Sequence, residues 1–459
     1  MKYLRIGFII LFTAMLLLPT VFFNFQEESI SEIDNRELTR FPKSAETVQA
    51  FTADFNDYVN DRIGFRNELI NSYTVLNDKL FSIMVHPTYT YGQEGYVFFK
   101  VGRSSYNYEY LEAFAQSVKK MQKYCEARGV PFIVFFTPAK TTVYSQYLPK
   151  GLVYNNEGVQ WLLNRFGELG IECVDSTPVL EEKSKTDQVY NVKYDAGHWN
   201  DLGAFYGTNE LLSEISRYFP AVRQNTLDDF EVSTRLETSL PVSQFAINEE
   251  VPVFTLKNDY ASDLTEEYSA DLKMDPNYRT FSYSHNGLKN EVPKVLMFQG
   301  SYLNSRTKYL KNQFREYITV HNYQNVLDLD YYFQIFEPEC VVFEFSEYTL
   351  SNTYFSYEKM EGMEFSPPYS DFEGFDTVYG AGADLSYTAN EEITDITVTG
   401  IPNSSGYAYL CREDYAWELK WDDESESYHV SVPTREFSAF DSKVQVVDKG
   451  VKTEYLIES

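Results

Sequence analysis

The longest apolar run of the chain lies close to its N-terminus. It covers residues 6–25 and is only mildly broken by polar residues. Lys2 and Arg5 precede the run. Glu27 and Glu28 follow it, and no small-x-small cleavage site comes after it. About 20 apolar residues are enough to cross the hydrocarbon core of a bilayer. The pattern therefore predicts an uncleaved signal anchor, with a cytoplasmic N-terminus and the bulk of the chain extracellular or periplasmic.

Helical periodicity follows the apolar run. Between residues 51 and 66, apolar side chains recur three or four positions apart, which predicts an amphipathic helix. The same spacing continues through Leu69, Ile70, Tyr73, Leu76 and Leu80. We therefore expect one continuous helix in the juxtamembrane region.

Strands and helices alternate from residue 94 onwards. The run from Pro131 to Phe136 is apolar throughout, which is typical of a strand buried on both faces of a parallel sheet. The alternation predicts an α/β fold with helices on both faces of that sheet. The acidic segment from about 220 to 290 has only weak strand signals, such as Val251–Phe254, and is interpreted as a large irregular insertion. Strands are predicted at 96–99, 131–136, 171–174, 295–298, 317–321 and 341–345, and helices at 111–125, 161–166, 205–215 and 303–314.

A domain boundary is expected near residue 380, where Pro367-Pro368 is followed by a cluster of glycines. Beyond it, apolar residues alternate with a period of two, as at Tyr428, Val430 and Val432, which predicts a β-sandwich module. The expected domains are an anchor (1–26), a juxtamembrane helical region (27–92), a catalytic domain (93–378) and the β-sandwich (379–459).

Composition narrows the classes of partner. The 459 residues carry a net charge of −29, so nucleic acid and anionic lipid surfaces are poor partners, because both need clustered Lys and Arg. Hydrophobic residues make up 43% of the chain and aromatic residues 17%, which predicts folded domains. The 38 tyrosines and 35 phenylalanines fit either aromatic-rich cores or surface rings that stack on sugars.

The four cysteines are expected to be buried thiols. Cys125, Cys173, Cys340 and Cys411 each lie in an apolar segment, and none has CxxC spacing. An exported protein can form disulfides, so pairing is the alternative. The spacing does not resemble a zinc site, and we expect no metal or cofactor.

The most informative motif is Asp195-Ala196-Gly197-His198-Trp199. It places an acid three residues before one of only five histidines. Ser301 follows the predicted strand 295–298 and Gly300, so a nucleophile, a base and an acid are all available. Active sites of open α/β sheets lie at the carboxyl ends of the strands, where both segments are expected. Gly300 and the start of a following helix would offer N–H groups to an oxyanion.

Simpler interpretations of these residues stay open. Gly-Ser after a strand often forms only a turn and a helix cap, and Asp-x-x-His often lies in a surface loop. The other histidines have no comparable acid and aromatic neighbours, and His321 is the alternative base. Asp201 is the expected cap of the following helix.

Several segments resemble one family in similar order. They are Asn35-Arg36 with Phe41-Pro42, then 55–66, 137–149, 195–199, 295–303 and 338–345. The chain resembles the membrane-tethered SGNH-hydrolase-like proteins of the alginate O-acetyltransferase group (AlgX/AlgJ, or DHHW). The resemblance covers roughly residues 30 to 350.

The resemblance implies roles for three residues. Ser301 would be the nucleophile, His198 the base and Asp195 the acid. The spacing from acid to base is one residue longer than is common in that family. Gln299 and Gly300 stand where a Gly-Asp-Ser elbow has its glycine and its acid. The Ser301 N–H is the expected oxyanion donor, with Asn322 and Asn325 as further candidates.

The resemblance also implies a function. An acetyl group would pass through Ser301 to hydroxyls of an extracellular polysaccharide, and a membrane-bound O-acyltransferase would supply the acyl group. One alternative is a carbohydrate acetylesterase with the same triad. Another is a non-catalytic protein that binds or assembles polysaccharide. In the C-terminal module, five aromatic residues fit either sugar stacking or an ordinary core: Tyr407, Tyr409, Tyr415, Trp417 and Trp421.

Overall fold

The structure is a computed structural model with side chains. Three residues named above lie outside the part of the chain that the structure describes: Glu27, Glu28 and Asn35. The described residues are 2–26, 30–31, 36–43, 47–86, 88–100, 106–241, 245–287, 289–413 and 415–458.

An apolar helix opens the chain. It has 20 residues with a mean hydropathy of 2.1, none of them buried, so by length and composition it can cross a membrane. The next elements are short or exposed. The elements of this region are α1 (Lys2–Val21), β1 (Ile30–Ser31), β2 (Arg36–Glu37), α2 (Val48–Arg62) and α3 (Arg66–Phe81).

The expectation of one continuous helix after the anchor was wrong. The chain turns at Ile63, Gly64 and Phe65, between α2 and α3. A Cβ atom at Gly64 would lie 2.6 Å from the carbonyl oxygen of Phe22, so α1 approaches this corner too closely for a side chain. Phe65 has a φ of 59°, in the left-handed region that ends helical geometry.

The central domain alternates strands and helices as the pattern predicts. Its first part contains β3 (Tyr89–Tyr91), β4 (Val97–Phe99), α4 (Tyr108–Ala127), β5 (Phe132–Thr137), α5 (Lys140–Val143), α6 (Glu157–Leu169), β6 (Cys173–Asp175), α7 (Thr177–Lys183) and α8 (Asp201–Tyr218). Its second part contains β7 (Phe230–Ser239), β8 (Ala246–Leu256), β9 (Ser262–Asp263), α9 (Thr265–Ser269), β10 (Phe281–His285), β11 (Lys294–Gln299), β12 (Glu316–His321), α10 (Leu329–Phe336), β13 (Cys340–Ser346) and α11 (Tyr357–Gly362).

A seven-stranded sheet forms the centre of this domain, in the order β6-β5-β13-β11-β12-β10-β9. The first five strands are parallel, and β10 and β9 add to the β12 edge antiparallel. The interpretation of 220–290 as irregular was therefore wrong. That segment contains the β7–β8 hairpin and two strands of the sheet. Polar residues on the outward sides of these strands interrupt the apolar pattern from which strands are predicted.

Helices cover both faces of the sheet, because successive side chains of a strand point to opposite sides. On β5, Phe132, Val134 and Phe136 pack in one core with α4 and α10. Ile133 and Phe135 pack in a second core with α7 and α8. The predicted α/β class is confirmed.

The predicted helix at 303–314 was wrong. The structure has only two short 3₁₀ turns there, Thr307–Tyr309 and Lys311–Gln313. The Tyr309 hydroxyl donates to the Asp201 carbonyl oxygen at 2.8 Å, and the Asn312 amide donates to the Asn258 carbonyl oxygen at 2.7 Å. These contacts hold the segment against neighbouring loops, and no helix N-terminus follows Ser301.

The C-terminal β module is confirmed, but its strands form one closed barrel instead of a sandwich of two sheets. β21 pairs with both β20 and β15, which closes a ring of seven strands, and β14 pairs with the first part of β21 on the same edge as β15. The strands are β14 (Asp376–Tyr379), β15 (Ala383–Ala389), β16 (Ile393–Thr399), β17 (Tyr407–Arg412), β18 (Tyr415–Asp422), β19 (Ser427–Pro433), β20 (Lys443–Asp448) and β21 (Val451–Glu458).

Ion pairs join the barrel to the central domain. Glu418 of β18 accepts a hydrogen bond from the Tyr124 hydroxyl at 2.8 Å and pairs with Arg128 at 2.6 Å. Lys420 of the same strand pairs with Asp330 of α10 at 2.5 Å.

The four cysteines are free thiols, as predicted. Three are buried, and Cys173 is partly buried. Burial raises the pKa of each thiol above its usual value.

Candidate active site

The Asp195–Trp199 motif forms the loop before α8. The cap of α8 is Asn200, and the expectation of Asp201 as the cap was wrong. The Asn200 side chain accepts the N–H groups of Leu202 and Gly203 at 3.0 Å each. Asp201 instead accepts the Phe254 N–H at 2.8 Å and pairs with Lys308 at 2.6 Å.

Asp195 adopts a left-handed backbone conformation, with a φ of 57°. Aspartate tolerates this region better than most residues because its short side chain bonds the local backbone. Its Oδ1 accepts the N–H groups of Gly197 at 3.2 Å and His198 at 3.0 Å. Burial raises the pKa of the Asp195 carboxyl, but the hydrogen bonds and the nearby His198 outweigh burial and hold that pKa below its usual value.

The structure brings all three predicted site residues together. His198 Nδ1 lies 2.9 Å from both carboxylate oxygens of Asp195. On the other side of the ring, His198 Nε2 lies 2.9 Å from Ser301 Oγ. The three-residue spacing from acid to base suffices because the left-handed turn at Asp195 brings its carboxylate under the ring.

Ser301 lies just beyond the carboxyl end of β11 and is exposed. The preceding Gly300 is tightly enclosed, since a Cβ atom there would lie 3.2 Å from both the Asn322 amide and the Glu344 carboxylate. The Gly300 N–H donates to Glu344 Oε2 at 2.5 Å, and the Thr137 hydroxyl donates to Oε1 at 2.9 Å. Burial raises the pKa of Glu344 to about 7, against the effect of these bonds.

Further direct contacts join the histidine loop to the serine loop. The Tyr302 hydroxyl donates to the Gly197 carbonyl oxygen at 2.9 Å. The Arg306 guanidinium donates to the Trp199 carbonyl oxygen at 2.7 Å. The two loops are thus held at a fixed separation.

The two asparagines suggested as oxyanion donors are engaged elsewhere. Asn322 donates to the Glu344 carbonyl oxygen at 2.6 Å. Asn325 donates to the carbonyl oxygens of Tyr278 and His321 at 2.9 Å each. Tyr323, which follows β12, instead has its hydroxyl close to the Ser301 side chain.

His321, the alternative base, is engaged in other contacts. Its Nδ1 accepts the Tyr323 N–H at 3.3 Å, and its ring packs against Tyr323 and Tyr278. Burial lowers the pKa of His321 to about 4. His198 is therefore the histidine in contact with Ser301.

The β7–β8 hairpin supports the acid loop. Glu249 of β8 accepts the N–H groups of Val192, Lys193 and Tyr194 at 2.6, 2.8 and 2.6 Å, directly before Asp195. Behind this loop, Lys140 is fully buried and donates to the Val97 and Val192 carbonyl oxygens at 2.8 and 3.1 Å. Burial lowers the pKa of Lys140 to about 7, opposed by the charges of Glu249 and Asp195.

A cavity of about 360 Å³ opens over the triad. The hairpin forms one wall, so the segment interpreted as an insertion contributes to the candidate site. The cavity is lined by Asn191, Tyr194, Asp195, His198, Asn200, Asp201, Arg235, Val251, Pro252, Val253, Ser301, Ser305, Arg306 and Lys308.

Residues 90–277 match the family model of the SGNH hydrolase-like domain of the acetyltransferase AlgX. The resemblance predicted from the sequence is confirmed. The matched range contains Asp195 and His198 and ends before Ser301. The match supports acyl-transfer chemistry, by a transferase or an esterase, in an SGNH hydrolase-like domain.

Solved structures resemble the chain as well, and no curated protein matches it by sequence. PatB1 of Bacillus cereus is 16% identical, with 56% of this chain and 96% of that one covered and a TM-score of 0.45. The O-acetyltransferase domain of Pseudomonas putida AlgJ is 14% identical, with 60% and 99% covered and a TM-score of 0.41. Pseudomonas aeruginosa AlgX is 14% identical, with 82% and 87% covered and a TM-score of 0.41.

Tyr323, Glu249 and Glu344, which line or support the candidate site, were not predicted from the sequence. Tyr323 lies two residues after the strand next to that of Ser301, so its position at a strand end was the available signal. A charged residue within the apolar strand 341–345 was the signal for Glu344. Nothing local marks Glu249, because its partners are about 55 residues away in the chain.

The five aromatic residues of the barrel divide into two groups. Tyr409 and Trp417 are buried, which fits the core interpretation. Tyr415 and Trp421 are partly buried, and Tyr407 is 42% exposed.

Proposed function

We propose that this chain is a membrane-anchored O-acetyltransferase that acetylates hydroxyls of an extracellular polysaccharide through an acyl-serine intermediate. The observation that carries the proposal is the continuous contact from Asp195 through His198 to Ser301, with 2.9 Å between His198 Nε2 and Ser301 Oγ. The match of residues 90–277 to the AlgX acetyltransferase domain supports acetyl as the acyl group.

The proposed chemistry uses the triad in two halves. His198 Nε2 takes the proton of Ser301 Oγ as that oxygen attacks the acyl carbonyl, and Asp195 stabilises the imidazolium through Nδ1–H. The donor's leaving group departs with the proton from His198, and acetyl-Ser301 remains. A sugar hydroxyl then gives its proton to His198 and attacks the acetyl carbonyl. The bond to Ser301 Oγ breaks, and Oγ takes the proton back from His198, which regenerates Ser301.

The tetrahedral intermediates of both halves carry a negative oxygen that needs donors. We propose the Ser301 N–H as one donor and the Tyr323 hydroxyl as the second. Tyr323 is already at the Ser301 side chain, whereas Asn322 and Asn325 donate to backbone carbonyl groups. The Tyr323 hydroxyl would then take the role of oxyanion donor that was expected of an asparagine side chain.

The proposed location follows from α1, with a cytoplasmic N-terminus and the AlgX-like domain outside the cytoplasm. We propose a membrane-bound O-acyltransferase as the partner that supplies acyl groups. Domain boundaries at 26, 92 and 378 are part of the same proposal.

The deciding experiment uses the full chain in detergent with an activated acetyl ester. Intact-mass spectrometry should find one acetyl adduct, mapped to Ser301 by peptide digestion. The Ser301→Ala variant should lose the adduct and about 10³-fold or more of the turnover. Ser213→Ala, at an exposed serine on α8, is the control and should behave like the parent.

An esterase and a non-catalytic binding protein are the alternatives. Acetyl transfer to an oligosaccharide, faster than release to water, supports the transferase, and hydrolysis without transfer would identify an esterase. Equal turnover by the parent and Ser301→Ala would refute the serine mechanism.

A further inference from the structure

A row of exposed apolar side chains runs along α3. Leu69, Tyr73, Leu76 and Leu80 follow one another at spacings of four, three and four residues, which places them on one side of a helix. Each is more than half exposed, at 53%, 57%, 53% and 65% respectively. At about 1.5 Å per residue, the row extends over about 17 Å. We call these four residues the α3 row.

The opposite side of α3 is attached to the central domain. The Thr74 hydroxyl donates to the Val85 carbonyl oxygen at 2.9 Å. Asp78 accepts the Tyr91 hydroxyl at 2.8 Å, and Tyr91 belongs to the β3–β4 hairpin. The α3 row therefore faces away from the domain. Its side chains are exposed although α3 itself is bonded to the domain.

The corner between α2 and α3 is bonded to the end of the apolar helix α1 and to the residues just after it. The Gly64 N–H donates to the Pro19 carbonyl oxygen at 2.8 Å, and the Asn24 N–H donates to the Arg62 carbonyl oxygen at 2.8 Å. These bonds place the α2–α3 corner at the level of the last turn of α1. If α1 spans the bilayer, that turn lies at the boundary between hydrocarbon and head groups.

The apolar surface is continuous from α1 to the α3 row. The rings of Phe22 and Phe65 are in contact, with 4.9 Å between their centroids, and both are substantially exposed. Phe65 precedes Leu69 by four residues, so it extends the row towards α1. An exposed apolar surface of this length, beginning at a membrane boundary, is typical of a helix that lies in the interface.

We infer that α3 lies in the outer boundary of the lipid bilayer, with the α3 row inserted among the acyl chains. This inference rests on the membrane anchoring proposed above. With a net charge of −29, the chain is not attracted to anionic lipids. Insertion therefore depends on apolar burial and needs only a zwitterionic bilayer. Through Asp78 and Tyr91, it would hold the central domain at a fixed position above the membrane.

The test measures the depth of α3 in vesicles. Full-length Leu76→Cys, labelled with a nitroxide, is reconstituted in phosphatidylcholine vesicles, and its relaxation by oxygen is compared with that by a water-soluble nickel chelate. Glu68→Cys is the matched control, at an exposed polar position on the same helix. The parent chain, labelled in parallel, measures the background from the four native thiols. Tyr73→Cys is the second site, for use if Leu76→Cys unfolds.

The oxygen-to-nickel accessibility ratio at Leu76 should be several-fold higher than at Glu68. Equal ratios at the two positions, with the chain resistant to alkaline extraction, would overturn the inference and leave the anchor intact. Release of the chain by alkaline extraction would overturn the anchor itself. Spin–spin broadening at Leu76 that disappears on dilution with unlabelled chain would show that a second copy covers the row, which also overturns the inference. Acyl-adduct formation at Ser301 is measured separately, so failure of the acyl-serine proposal is distinguished from failure of the anchor and of the α3 inference.

Discussion

The indole Nε1 of Trp199 donates a hydrogen bond of 3.0 Å to the carbonyl oxygen of Tyr302. Each residue directly follows a proposed catalytic residue, since Trp199 comes after His198 and Tyr302 after Ser301. The bond is buried, and the two rings are also in contact, with 5.3 Å between their centroids. The separation of base and nucleophile is thus set by the residues beside them.

Trp199→Phe keeps an aromatic ring and removes the indole N–H. We expect the free energy of unfolding to fall by about 1–3 kcal/mol, because a buried hydrogen bond is lost. We also expect a lower kcat, because the distance from His198 to Ser301 is less well fixed. Denaturant unfolding and steady-state kinetics measure both effects. Trp161→Phe is the control, and equal kcat losses in the two variants would contradict the positioning role.

Asp195→Asn should reduce kcat by about 10³–10⁴-fold while changing KM little. The amide presents N–H to His198 Nδ1, which favours the tautomer that cannot accept the Ser301 proton. Kinetics with an activated acetyl ester measure the loss. Asp228→Asn removes an exposed carboxylate and serves as the charge-matched control. A loss below tenfold in Asp195→Asn would argue against its role.

Tyr323→Phe removes the proposed oxyanion donor and keeps the ring. The expected loss in kcat is about 10²–10³-fold, the range found for a single oxyanion donor, with KM nearly unchanged. Affinity for a boronic acid that forms a tetrahedral adduct with Ser301 should fall with kcat. Tyr354→Phe removes a hydroxyl from a ring 4.4 Å from that of Tyr323 and is the matched control. Unchanged boronate affinity in Tyr323→Phe would rule out the donor role.

Glu249→Gln weakens the support of the acid loop. One carboxylate oxygen of Glu249 accepts the N–H groups of Lys193 and Tyr194. In the variant, an amide NH₂ group can occupy the position of that oxygen. We expect a loss of about 1–3 kcal/mol in the free energy of unfolding, together with a reduced kcat. Glu250→Gln, at the next and exposed position of β8, is the control. Identical unfolding curves and kcat for the two variants would contradict this role.

Glu344 should make stability depend on pH. Burial raises its pKa in the folded chain to about 7, so folding favours the protonated acid. The stabilisation is complete below the unfolded pKa of about 4.3 and is lost as the pH rises towards 7. The raised pKa corresponds to about 3–4 kcal/mol. Relative to Glu344→Gln, the free energy of unfolding of the parent should decline by a few kcal/mol between pH 5 and pH 8. If the difference between parent and variant does not depend on pH, the assignment is refuted.

The sequence by itself determined the parts that depend on local pattern. Continuous apolar runs such as 131–136 identified buried parallel strands, because both faces of such strands are covered. The short spacing within Asp195–Trp199 and the position of Ser301 after a strand predicted that three candidate site residues would lie close together, because strand ends of a parallel sheet meet at one edge.

The tertiary structure alone decided what depends on contacts between distant segments. Tyr323 reached Ser301, and Glu249 reached the loop before Asp195, through strand pairing that leaves no local signal. The segment 303–314 does not form the predicted helix, because its side chains form hydrogen bonds to neighbouring loops. The C-terminal strands closed into a barrel because β21 pairs with both β20 and β15, and the period-two pattern of a strand is the same in a barrel as in a sandwich.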